Sequence, residues 1–126
     1  MLLVKTYLDK SKLDGIGLFA DEFIPRGTLI WKFVSRFDFT LKKKNLDKLP
    51  EIAREWVLHY GYYNLDEEEY VICVDDARFF NHSETSNTDN TTESGTIAIR
   101  DINKREEITC NYFEFDADAR LRFTKS

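Results

Sequence analysis

Residues able to do chemistry crowd into one short stretch, Arg78-Phe79-Phe80-Asn81-His82-Ser83. Asn, His and Ser bring amide donors, an amide carbonyl, an imidazole and a hydroxyl, placed directly after two bulky apolar residues. Polar groups packed against a Phe pair lose water and must find partners. A polar ligand would supply them. So would a tight turn, because Asn and Ser after a strand often bond their own backbone, and the hexapeptide alone leaves both readings open. A second candidate is Gly15-Ile16-Gly17, where two glycines around one residue allow unusual backbone conformations and close approach of a ligand. It fails as a dinucleotide-binding fingerprint, since the third glycine and the following helix are missing, and a plain loop turn is its alternative. Cys73 and Cys110 lack a CxxC partner, and with His59 and His82 they form no zinc-ligand spacing.

These residues need elements to carry them. Leu2 to Leu8 reads as a strand, followed by a turn through Asp9 to Gly17. Pro25-Arg26-Gly27 is a turn signal, and Thr28 to Phe33 alternates as a strand. Lys42-Lys43-Lys44 reads as a solvated run, and Asn45 as the cap of a short helical turn ending before Pro50. From Glu51 the spacing predicts a helix whose Ile52, Trp56 and Tyr60 share a core-facing stripe, with Gly61 as its C-terminal cap. His59, on that helix, reads as structural or exposed. Asp66 to Glu69 is an acidic turn before the strand Tyr70 to Val74. Asp89 to Gly95 reads as a polar hairpin loop, Thr96 to Ile102 as a strand, and Glu107 to Tyr112 as the last strand after the turn Asn103 to Glu106. Ala117, Leu121 and Phe123 are spaced like a short docking helix. Many short strands interrupted by one helical stretch predict a mainly β domain.

At 126 residues the chain makes one domain with a real core. Its 33% charged and 42% apolar residues are those of a globular protein. Two ordinary cysteines point to a reduced, intracellular (cytoplasmic) setting. The start MLLVKTYLDKSK carries no signal-peptide pattern, and no apolar run approaches a membrane span. A net charge of −5 argues against direct nucleic-acid binding and suits a basic partner.

Three blocks in order, GIGLFA (Gly15 to Ala20), ARFFNHSETSNT (Ala77 to Thr88) and AIRDINKREEITCNY (Ala98 to Tyr112), resemble a SET-domain protein-lysine methyltransferase. The resemblance covers nearly the whole chain, residues 3 to 116, and the size is similar to small stand-alone bacterial and viral members. It implies a single domain over 1–126, with a variable helical insertion at about 41–64 and a tail at 113–126. The implied fold is a set of small curled β-sheets with a C-terminal pseudoknot, a rare threaded case, in which Asn81 and His82 lie beside the end of the Tyr112 strand.

The resemblance also implies S-adenosylmethionine as cofactor, held by Gly15, Ile16, Gly17, Asn81 and His82. Tyr112 would be the catalytic tyrosine, also touching cofactor, and Phe113 and Phe115 would close over the adenine, with a core role for either as the alternative. The implied substrate is a protein lysine, on a histone or another basic protein, entering a narrow channel from the opposite face. The acidic residues Asp66 to Glu69, Glu114, Asp116 and Asp118 favour such a substrate. No metal is called for. Four departures stand out: Ser86 for Pro, Arg105 for the Gly of a turn, Asn111 for Asp, and Cys110 where many members place Phe or Tyr. Arg105 implies either a strained turn or a different backbone there, and Cys110 leaves the number of methyls added open. Two rivals remain: a SET fold that binds cofactor or a basic peptide without turnover, and a β-rich interaction protein. Oligomeric state is open, a homodimer included.

Overall fold

The computed structural model describes residues 1–119. Its strands are short and pair mostly with near neighbours, giving four small sheets. Thr6–Lys10 (β1) and Ile16–Ala20 (β2) form an antiparallel hairpin in which Lys10 faces Ile16. Leu29–Trp31 (β3) pairs with Gly95–Ala98 (β9), which also pairs with Thr88–Thr92 (β8). A third sheet joins Phe39–Lys42 (β4), Glu69–Ile72 (β6) and Tyr62–Asn64 (β5) in the order β4-β6-β5. Between β4 and β5 run two helices, Lys43–Leu46 (α1) and Glu51–Tyr60 (α2). The fourth sheet is a two-residue parallel pair, Asn81–His82 (β7) with Thr109–Cys110 (β10). The main core, Ala20, Ile24, Ile30, Ala98, Ile102 and Ile108, lies between the first two sheets, while Leu46, Val57, Tyr63 and Tyr70 form a satellite core under the helices.

The mainly β expectation holds, and the helical stretch lies between β4 and β5. Several details differ. β1 starts at Thr6, because Leu2 bridges to Trp31 and Leu3 donates to the Ile30 carbonyl, tying the N-terminal residues to β3. β4 and β5 carry no signal strong enough to predict them: β4 is a mostly exposed edge strand and β5 has three residues. Asn45 lies inside α1 and does not cap it, since the helix begins directly after β4 with Lys42 at its N-cap. The lysine run is partly engaged: Lys42 pairs with Glu69 at 3.4 Å, and the Lys43 ammonium lies 5.2 Å from the Tyr63 ring centre.

The largest correction concerns α2. Ile52 is 80% exposed and Trp56 42% exposed, whereas Val57 is the buried residue. The insertion sheet is too narrow to cover a wide stripe, so the helix seats one line of residues on it and leaves the Ile52–Trp56 side outside. Gly61 follows the helix in extended, not left-handed, backbone. The last strand is cut to Thr109–Cys110 because Asn111 caps a 3-10 turn, accepting from Phe113 N–H, and Tyr112 opens that turn. Of the expected C-terminal helix, Leu121 and Phe123 lie outside the described residues. No helix among the described residues is long and apolar enough to cross a membrane.

Candidate active site

Segment 107–110 is held on both sides by the stretch that the sequence singles out. On one side β10 pairs with β7, Thr109 against Asn81 and Cys110 against His82, and Ser83 N–H donates to the Cys110 carbonyl. On the other side Asn87 Oδ1 accepts from Thr109 N–H at 2.9 Å, and Asn87 Nδ2 donates to the Glu107 carbonyl at 2.8 Å. Thr88 Oγ1 donates to the Thr109 carbonyl at 2.7 Å. Asn87 and Thr88 are buried, so their polarity is matched bond for bond, as a dry interior requires. The loop 81–88 thus wraps the strand that leads to Tyr112, which is the pseudoknot.

The wrap sets Tyr112 against His82. Tyr112 N–H donates to His82 Nδ1 at 3.1 Å, which makes Nδ1 the acceptor and places the proton of the neutral ring on Nε2. Burial pulls the His82 pKa below its ordinary value, only partly opposed by Glu84. The Tyr112 hydroxyl donates to the Phe80 carbonyl, which fixes the ring. Tyr112 also lines a cavity of about 490 Å³ whose wall includes Phe80, Tyr62, Cys110, Trp31 and Phe115. None of Gly15, Ile16, Gly17, Asn81 or His82 lines it. Tyr112 therefore stands between two faces, the cavity and the His82 side.

Three groups on the cavity wall, Tyr62, Cys73 and Cys110, are held neutral. Burial, then Cys73 and Asp38 nearby, raises the Tyr62 phenol well above the ordinary tyrosine range. Burial pushes the Cys110 thiol up to about 12, against hydrogen bonds from Thr88 and Asn90 that lower it, and burial also pushes Cys73 up to about 12. Both cysteines are free and buried, and as protonated thiols they are poor nucleophiles.

On the other face, Asn81 Nδ2 donates to the Asp14 carbonyl at 3.0 Å and lies 3.3 Å from that of Ile16, tying the loop 11–17 to β7. Gly15 has φ +44 with nothing within 4 Å of where a Cβ would stand, and Ile16 is 46% exposed, so this backbone is open. Gly17 is different: it is buried, and a Cβ there would clash with the Glu107 carboxylate. The two tail aromatics separate. Phe113 packs edge-on against His82 at 4.9 Å, while Phe115 packs against Tyr62 at 4.9 Å on the cavity wall. Phe115, expected beside the cofactor, is thus on the cavity face, and Phe113 shares the His82 face.

The acids also separate. Asp116 is buried, and its Oδ1 accepts from Tyr63 N–H and Asp118 N–H, while Asp118 accepts from the Tyr70 hydroxyl. Glu114 accepts from the Asn90 side chain. Asp116 and Asp118 are structural, which leaves Asp66, Glu67 and Glu68 as the exposed acidic run. Asn87, Asn90 and Glu107 went unsingled in the sequence because an amide or an acid takes its role from what packs around it.

A SET domain model matches residues 15–113, and the chain belongs to the SET-domain family. A search of curated protein sequences finds no match. Among solved structures, a Plasmodium falciparum protein described as a "putative histone methyltransferase" aligns with a TM-score of 0.58 and 21% identity, over 88% of this chain and 95% of that one. Chaetomium thermophilum Polycomb Repressive Complex 2, autoinhibited and bound to S-adenosylmethionine, aligns with a TM-score of 0.64 and 22% identity over 97% of this chain. A humanized mutant of that complex bound to the inhibitor GSK126 aligns at 0.65 and 25% identity over 90%. This chain spans 17% and 15% of those two chains.

Proposed function

We propose that the protein transfers a methyl group from S-adenosylmethionine to the ε-amine of a lysine in a basic protein. Family membership and the methyltransferase relatives support the reaction class. The single observation that carries the reading is the place of Tyr112, braced by His82 and the Phe80 carbonyl at the meeting of the cavity and the His82 face. The residues present fit the cofactor: the open space at Gly15, the exposed Ile16 and the His82–Phe113 ring pair offer main chain and aromatic surface together. Gly15, Ile16, Asn81, His82 and Phe113 would hold it, and Gly17 would serve by letting Glu107 pack. When bound, the cofactor supplies an electrophilic methyl group on a sulfonium.

The chain's own work is alignment and desolvation. The cavity, walled by Tyr62, Phe80, Trp31 and Phe115, takes the lysine side chain and strips water from its amine. Desolvation lowers the amine pKa, so the neutral nucleophile becomes accessible. Tyr112 orders the approach, as an in-line displacement demands, and its neutral hydroxyl oxygen accepts weak CH contacts. The exposed Asp66, Glu67 and Glu68 favour a basic protein through salt-sensitive attraction.

The test is incubation with methyl-labelled S-adenosylmethionine and a pool of basic proteins, with wild type and Tyr112→Phe in parallel. Wild type should label a lysine. Turnover of the variant should fall about a hundredfold or more, the scale of losing one oriented polar group at a reacting centre. Cofactor affinity should change less than about tenfold, since a neutral hydrogen bond is worth about 0.5–1.5 kcal/mol. Equal labelling by the variant would remove Tyr112 from the chemistry. Binding without labelling by wild type would leave a binding module.

A further inference from the structure

Glu107 is carried to the floor of the loop 11–17 by backbone pairing. Ala20 N–H donates to the Glu106 carbonyl at 2.9 Å, Ile108 N–H donates to the Leu18 carbonyl at 2.8 Å, and Phe19 bridges to Glu107. This pairing lays the Glu107 side chain across Gly17. A Cβ on Gly17 would clash with Glu107 Oε2, come within 2.9 Å of Glu107 Cδ and stand 3.1 Å from Asn81 Nδ2. The carboxylate accepts from the Ser11 hydroxyl at 2.7 Å through Oε1 and from Asn81 Nδ2 at 3.0 Å through Oε2. Ser11 closes the turn in its own right. Its N–H donates to the Gly15 carbonyl at 2.8 Å, and its Oγ accepts from Leu13 N–H at 2.9 Å. Asn81 closes the ring from the far side through the Asp14 carbonyl.

From this geometry we infer that Glu107 is a positioning residue: its carboxylate clamps the loop 11–17 to Asn81 and so sets the open backbone at Gly15 and Ile16. The inference rests on the proposed function, which gives that backbone to the cofactor. Only a carboxylate does this well. It accepts from a hydroxyl and an amide at once, and bonds to an ionised acceptor are about twice as strong as neutral ones. A glutamine of the same shape would turn one oxygen into a donor facing Ser11 or Asn81. Glu107 acts through the loop and touches no reacting atom.

The test compares wild type, Glu107→Gln, Ser11→Ala and the double variant. S-adenosylmethionine affinity is read by calorimetry, turnover at varied cofactor, and amide hydrogen exchange of residues 11–17 without cofactor. Glu107→Gln should weaken cofactor binding about tenfold, the loss of one charge-assisted bond, with cofactor KM rising more than kcat falls. Ser11→Ala should shift affinity in the same direction, and the double variant should be no worse than Glu107→Gln, because both act through one carboxylate. Exchange in the loop should quicken in Glu107→Gln. Gly17→Ala, which pushes the carboxylate aside, should reproduce the affinity loss. Unchanged affinity in Glu107→Gln beside a wild type that binds would overturn the inference, as would unchanged loop exchange. A wild type that binds no S-adenosylmethionine overturns the functional reading instead, and loop exchange then still decides whether the clamp exists.

Discussion

His82 shows how one side chain ties site geometry to pH. Its Nδ1 accepts from Tyr112 N–H, and an imidazolium has no acceptor left, so protonation breaks that bond. Its pKa in the folded protein lies below the ordinary 6.5, chiefly through burial. The unfolded chain therefore binds more protons in the window between the folded pKa and 6.5. The stabilisation is fully present above 6.5 and is lost as pH falls through 6.5 toward the folded value. Thermal melts should show a decline on acidification that begins at 6.5, together with weakening of cofactor binding. In His82→Gln that part of the pH dependence should disappear, and an unchanged pH profile would detach His82 from the effect. Cys110, paired opposite His82 between β10 and β7, lines the cavity, is kept a thiol by burial and shapes the cavity by size.

Among the elements, the turn at residues 103–106 carries local strain at Arg105. Arg105, where the family resemblance implies a glycine, adopts φ +76, a left-handed conformation that opposes its Cβ. Its N–H nevertheless donates to the Ala20 carbonyl at 2.7 Å, joining the turn to β2. Glycine would keep that bond and relieve the strain, offset in part by its greater unfolded-state freedom. Arg105→Gly should stabilise the protein by about 1 kcal/mol, or roughly 3–5 °C in melting temperature. A melt at or below wild type would show that the turn is not strained. The helix α2 makes the opposite point. Its apolar spacing is real, but periodicity marks every apolar stripe alike, and the narrow sheet beneath it buries Val57 and not Ile52.

For the molecule as a whole, the wrapping of segment 107–110 is what holds the two faces together. Asn87 is its main fastener, bonding Thr109 N–H and the Glu107 carbonyl from a site 1% exposed. Asn87→Ala leaves both main-chain groups without that partner, at about 1–3 kcal/mol each. Against a total stability of about 5–15 kcal/mol, the loss should be about 2–5 kcal/mol, read as a lower urea midpoint at an unchanged slope. A loss below about 1 kcal/mol would show that the backbone pairing with β7 suffices without Asn87.

Much of this architecture is legible along the chain because it is written in local terms. Glycines 15 and 17, the polar run 81–83, the alternation at 28–33 and 96–102 and the terminal Tyr112 are short-range signals in a set order, and they carry the family resemblance and the mainly β reading. What remained hidden depends on partners far away in sequence. The two-residue parallel pairing of β7 with β10 has no periodicity to read, and only the family resemblance implies it. Phe113 and Phe115 differ by two positions, and the cap at Asn111 sends one to His82 and the other to the cavity. Asp116 reads as a surface acid, yet it is buried on the Tyr63 amide. Glu107 reads as the first residue of the last strand, and only the pairing of residues 106–108 with β2 lays it over Gly17. Residue type sets what a group can donate or accept, whereas the neighbours that take up that capacity are chosen by tertiary packing.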